Sequence, residues 1–470
     1  MTVLHTLSAL LLLTPVAPPD APAEPLTASP LAASSRAASL PAASLPAASM
    51  ASAALPSPAA QPLTYDVRLA SDATGARWDG RERIVLRNPG PAAMDHVWLR
   101  LWGNGVDGCT PTLDVTVSQF QGGTPGTPEV GCTAVRVALT RPLPPRRTTD
   151  LSFALTIRVP ERPDRFGRVG PYAFLGNALP VPAIGDDLPP YVSGGESFQT
   201  PTASFLVSLN HPATMAVPAT GTVVAETRHQ DRVTTRIAAP LVRDFAWAAG
   251  PFGSVTGRTA TGVRLRTWYT SEVTPETATT VQSDVARTLE YASREYGPYP
   301  YPEMDTVIGG FEGFQGMEYP NFVLTEPAAL PAVHETAHQW WYALVGNDEY
   351  RNPWLDESLA QYTTDKLLGT PDYCATAPFW FDDGMRIDAS MDYYATHYDF
   401  YAPGIYGDGA CMLLELETLI GATPMRTALR NYLAQNRFGI ATPSTLRNAF
   451  QAATTIDLTA FWERWRNTAN

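Results

Sequence analysis

Between Tyr65 and Val255 apolar residues alternate with polar ones, first at Tyr65, Val67 and Leu69, then at Val97, Leu99 and Leu101, then at Phe205, Val207 and Leu209. Period two puts every second side chain on one face of a strand, and Gly, Pro and Asp punctuate the runs. The pattern predicts an antiparallel β domain of sandwich or saddle type. Beyond it the period lengthens. The run VRLRTWY from Val263 predicts a strand, and Thr274-Pro275-Glu276 supplies an N-cap, a first-turn proline and an acidic residue. Ala278, Val281, Val285, Leu289, Ala292 and Tyr296 then follow at helical spacing until Gly297-Pro298 stops the helix. Met304 to Ile308 and Asn321 to Thr325 predict further strands, with the glycine-rich GGFEGFQGMEYP between them. Thr423-Pro424 and Thr442-Pro443 predict the starts of packing helices that carry Leu429, Tyr432 and Leu433, then Leu446 and Phe450. Phe461, Trp462 and Trp465 fit core positions. The fold class is therefore α+β and multidomain, with an N-terminal antiparallel β domain and a helical C-terminal half.

Length and composition narrow the picture. A chain of 470 residues exceeds one compact core. Its formal net charge of −13, with no basic run, excludes a nucleic-acid partner and suits a solvated surface. Residues 3–17, VLHTLSALLLLTPVA, form an apolar run fit for a signal-peptide core and too short for a membrane span, and Ala21-Pro22-Ala23 offers small residues for cleavage. Up to Pro62 the chain is mostly Ala, Pro and Ser with near-repeats of SLPAA, too poor in large apolar residues to fold. The expected layout is a signal peptide at 1–23, a disordered tether at 24–62, the β domain at 63–256 and a catalytic domain at 257–470. The product would be secreted, without a membrane span after signal removal, and monomeric. The four cysteines allow two disulfides in three connectivities. Pairing Cys109 with Cys132 closes a Gly/Pro/Thr-rich loop, and pairing Cys374 with Cys411 ties segments that flank the candidate chemistry. No C-x-x-C spacing favours metal binding by these thiols.

That chemistry lies in HETAHQWWYALVGNDEYRNPWLDE, from His334 to Glu357. Residues four apart share a helix face, so His334 and His338 can aim at one point. Glu335 is offset by about 100° around the helix, outside the ligand set but within reach of a water there. Two histidines for zinc and a glutamate as general base is the chemistry of H-E-x-x-H. Gly346 and Asn347 are expected to break the helix, and Asn352-Pro353 to start another with Glu357 in its opening turns. Two imidazoles and one carboxylate would leave a fourth tetrahedral position open, as a catalytic zinc requires. His96, His211, His229 and His397 lack partners at metal-ligand spacing.

HExxH, eighteen intervening residues and a glutamate, set inside HQWW and WLDESLAQY, resembles the aminopeptidase N family of gluzincin zinc metallopeptidases. The resemblance implies a thermolysin-like α/β catalytic domain holding one Zn²⁺ per chain on His334, His338 and Glu357. Glu335 would act as general base toward a zinc-activated water, and peptides would be the substrates. Gly316-Met317-Glu318 resembles the first part of the family's G-x-M-E-N motif, with Tyr319 where asparagine is expected; it implies a substrate-binding strand and Glu318 as anchor for the peptide's amino terminus. Tyr406 resembles the tyrosine of the family's Y-x-K-G element, with Asp408 replacing the lysine, and would stabilise the oxyanion. The alternatives are a zinc endopeptidase of the same fold and a non-catalytic exported peptide-binding protein.

Overall fold

The computed structural model describes residues 63–369, 372–379 and 384–469. The expected signal peptide and tether lie outside them. The first half is built on a seven-stranded sheet ordered Thr222–His229, Arg232–Val242, Ala203–Pro212, Leu63–Ser71, Arg77–Arg87, Thr148–Arg158 and Val115–Gln121. The alternation seen in the sequence becomes its buried face, with Tyr65, Val67 and Leu69 inward on one strand and Leu151, Phe153, Leu155 and Ile157 inward on another. Pairing is antiparallel except at the centre, where Leu63–Ser71 runs parallel to Ala203–Pro212. A parallel pair needs a long connection. Here it is long enough to hold a smaller sheet around Met94–Arg100 and Ala134–Leu143 and two strands of another, Tyr172–Leu175 and Phe166–Val169, which Trp247–Ala249 joins from beyond Ala203–Pro212. Cys109 is bonded to Cys132, as the spacing allowed.

The second half opens on a five-stranded sheet ordered Gly253–Arg258, Arg264–Tyr269, Glu303–Ile308, Phe322–Thr325 and Gly316–Met317. Three central strands are parallel, and Gly316–Met317 is an antiparallel edge. Helix α1 (Pro275–Glu295) connects two of them and buries the predicted stripe, its first turn capped by Thr274. Then come α2 (Ala329–Trp341), α3 (Trp354–Leu368), the short α4 (Met391–Tyr394), α5 (Gly409–Ile420), α6 (Ala422–Asn436), α7 (Pro443–Ala452) and α8 (Thr459–Arg464). Thr442 and Thr445 form a reciprocal capping box at the start of α7. By contrast α6 begins one residue before Thr423, after Gly421 at φ 91°, so Thr423-Pro424 lies inside its first turn rather than capping it. No helix among the described residues is long and apolar enough to cross a membrane.

The two halves meet through buried polar contacts. Arg243 donates to the carbonyls of Tyr342 at 2.6 Å, Gly439 at 3.1 Å and Thr200 at 3.2 Å. This contact corrects the expected helix break: α2 stops at Trp341, ahead of Gly346, because the Tyr342 carbonyl turns to Arg243 and Gly346 pairs with Gly439 and Ala441.

Candidate metal centre and its cleft

Every residue of α2 from Pro331 to Trp341 is buried, so this is a core helix packed between α1 and α3. His334 and His338 stand one turn apart on it. Pro353, already helical at φ −61°, starts α3, while Asn352 gives no side-chain cap; Asn347 instead donates to the Asn352 carbonyl and to Asp356. This geometry sets Glu357 against both imidazoles: its Oε2 is 3.0 Å from His334 Nε2 and 3.3 Å from His338 Nε2, and the two nitrogens are 3.1 Å apart. A tetrahedral zinc with bonds of about 2.0–2.1 Å separates its donors by about 3.3 Å. The spacing and the two-nitrogen, one-oxygen donor set fit such an ion. Burial would raise the Glu357 carboxyl, but the facing His338 charge and the contacts with both imidazoles outweigh it and hold the group below the usual carboxylate range.

Glu335 lies beside this cluster, 7 % exposed, and burial lifts its carboxyl well above the ordinary value, with Glu357 adding to the rise. A Cβ on Gly316 would collide with Glu335 Cγ and Oε1, so the edge strand Gly316–Met317 passes directly over Glu335. Met317 is turned away from it, its sulfur 3.0 Å from Arg165 Nη1. Tyr319 is also turned aside: its hydroxyl donates to Asn177 Oδ1 at 2.8 Å, above Gly176, where any Cβ would strike that hydroxyl.

Glu318 is 2 % exposed, and its Oε1 has no hydrogen-bond partner among the described residues. Oxygens of Glu318, Glu196 and Glu349 lie within 4.8 Å of one another. Glu196 pairs with Arg165 at 2.8 Å through one oxygen and leaves the other unpaired, while Glu349 accepts from the Phe198 amide at 3.0 Å. Burial raises the Glu318 carboxyl, and Glu196 raises it further. Glu196 and Glu349 were not found from sequence. Glu196 sits in an irregular loop, and Glu349 follows the end of α2; neither has a periodic signal.

Tyr406 lies on a wide π-type turn, Ala402–Asp408, leading into α5. Ser358 of α3 donates to the Ile405 carbonyl at 2.7 Å, Asp408 accepts from the Phe379 amide, and Cys411 is bonded to Cys374. Held in this way, the Tyr406 ring packs 5.5 Å from the His334 ring. Asp408, in the position of the expected lysine, is buried and faces Phe379 instead. His96, His211, His229 and His397 join no metal-ligand group among the described residues.

A β-sheet half is thus joined to a half in which two histidines and a glutamate from adjacent helices meet at one point, a donor set that suits a zinc ion. Residues 282–465 match the peptidase family M1 domain. It is 26 % identical over 272 residues to aminopeptidase N of Lactobacillus delbrueckii subsp. lactis, covering 50 % of this chain and 32 % of that protein. It is 25 % identical over 214 residues to tricorn protease-interacting factor F2 of Thermoplasma volcanium, covering 39 % and 27 %. The chain thus spans about a third of the length of these curated relatives. Among solved structures, a two-domain M1 zinc metallopeptidase bound to L-arginine superposes with TM-score 0.66 at 17 % identity, over 87 % of this chain and 95 % of that one. An M1 zinc metallopeptidase from Deinococcus radiodurans gives 0.64 at 18 %, over 87 % and 95 %.

Proposed function

We propose that this chain is an exported zinc metallopeptidase that removes the first residue of peptides. The observation that supports it most directly is the meeting of His334, His338 and Glu357 beside a buried, raised-pKa Glu335. The three side chains would hold the zinc, which when bound supplies a Lewis acid toward the scissile carbonyl and the attacking water. Glu335 accepts the water's proton and delivers it to the leaving amine, a task suited to a carboxyl that burial has raised above its ordinary value. The Tyr406 hydroxyl donates to the oxygen on which negative charge develops. Gly316–Met317 offers an edge strand to the peptide backbone. Glu318, with Glu196 and Glu349, presents carboxylates around one point, matching the N–H donors of an α-ammonium group.

The division at 63–256 and 257–470, the signal peptide, the tether and the secreted destination belong to the same proposal. The apolar run at 3–17 and the two disulfides support them. The test is product analysis on matched peptides with free and acetylated amino termini, with and without a chelator. Release of the first residue from free peptides alone, abolished by chelation and restored by zinc, is expected. Equal cleavage of acetylated peptides, or internal cuts, would instead support an endopeptidase.

A further inference from the structure

We infer that Gln361, held by Asp365, is a positioning residue that fixes the His334 imidazole with its hydrogen on Nδ1 and its Nε2 free for the metal. The inference rests on the zinc-site reading above. Gln361 Oε1 lies 3.1 Å from His334 Nδ1, and Gln361 Nε2 donates to Asp365 Oδ1 at 2.9 Å. Both side chains are more than nine-tenths buried.

The chemistry of an amide makes Asp365 decisive. An imidazole nitrogen can donate or accept, so the ring alone would tolerate either end of the amide. The Asp365 oxygen is an acceptor, which calls for the NH₂ end and turns Oε1 to the ring. Oε1 can only accept, so Nδ1 must carry the hydrogen, and the lone pair is left on Nε2, the atom that faces Glu357 and His338. Glu357, Gln361 and Asp365 follow one another at one-turn intervals along α3. One helix face therefore supplies a ligand, the group that orients a second ligand, and the group that orients the orienter. Metal-bound histidines commonly donate their other N–H to a carboxylate or carbonyl. Here a neutral amide takes that place, and its two unlike ends create the need for Asp365. His338 is held differently, since its Nδ1 has no hydrogen-bond partner among the described residues.

The test uses the full chain and reads zinc affinity by competition with a chromophoric chelator, with thermal midpoints alongside. Gln361→Leu is expected to weaken zinc binding by about 10- to 100-fold. Asp365→Leu should weaken it by about 10-fold, because the freed amide can present its NH₂ end to the ring. Adding Gln361→Glu to Asp365→Leu should restore affinity to within about threefold of the wild type, since a carboxylate has no wrong end. A merely structural role for Asp365 would not be rescued in this way. Wild-type affinity in Gln361→Leu, or failure of the second substitution to rescue a folded Asp365→Leu variant, would overturn the inference. A wild-type chain that binds no zinc would instead bring down the zinc-site reading, and this inference with it.

Discussion

Glu335 and Tyr406 both lie beside the ligand cluster, and in the proposed mechanism each would serve a different moment of the reaction. Burial raises the Glu335 carboxyl above its ordinary value, which suits a group that, in the proposed mechanism, must take up a proton and give it back. Burial likewise raises the Tyr406 phenol, with Glu357 the next contributor, which favours its protonated form. Glu335→Gln keeps the shape and removes the base. It is expected to retain bound zinc by metal analysis while kcat falls by on the order of 10²- to 10⁴-fold. Substantial retained turnover would assign the base elsewhere. Tyr406→Phe removes only the donor; kcat on a fluorogenic aminoacyl substrate should fall by about 10²- to 10³-fold with KM little changed. A change confined to KM would place Tyr406 in substrate binding instead.

At the scale of elements, the edge strand Gly316–Met317 and helix α2 are so close that one methyl group matters. In Gly316→Ala the added Cβ would meet Glu335 itself, so relief must come from moving the base or the strand. A shift of about 1 Å can cost on the order of 10² in rate. The variant is therefore expected to hold zinc normally and lose most of its kcat, and wild-type kinetics would show that the strand can yield. The elements whose signals are local were legible in sequence. The stripe of α1 with its Thr274 cap, the alternating strands and the i, i+4 histidines all follow from periodicities of one chain segment. Glu357 was legible only through its spacing from His338. What escaped depends on distant partners. The parallel central pair joins Leu63–Ser71 to a strand far along the chain, and α2 ends where Arg243, from the other half, claims the Tyr342 carbonyl. Glu196 reaches the Glu318 cluster from an irregular loop. Gln361 could have been found, since it lies one turn after Glu357 on the same face.

Across the whole molecule, stability carries a cost that the fold does not need. Glu82 lies on the buried face of Arg77–Arg87, opposite Val67 and Phe153, fully inaccessible and with neither carboxyl oxygen hydrogen-bonded. Burial pushes its carboxyl well above the ordinary value, and Asp244 and Asp305, also buried, are raised to about 7. The sign follows from linkage. A group whose pKa is higher in the folded than in the unfolded chain favours the fold fully below its ordinary pKa, and that contribution is lost as pH rises through the folded-state value. Stability from these carboxyls should therefore decline from about pH 4 upward, beginning in the ordinary carboxyl range. Glu82→Leu replaces the unpaired group with an apolar side chain of similar size among Val67, Phe153 and their neighbours. It should stabilise the fold at pH 8 by about 1–4 kcal/mol, the range seen when buried charged groups give way to well-packed apolar ones. Thermal unfolding at pH 5 and pH 8 measures this directly: the variant's midpoint should change less between the two than the wild type's, with its advantage concentrated at pH 8. An equal pH slope in both proteins would mean that Glu82 is already hydrated or partnered, and that the decline arises at Asp244, Asp305 or another buried acid.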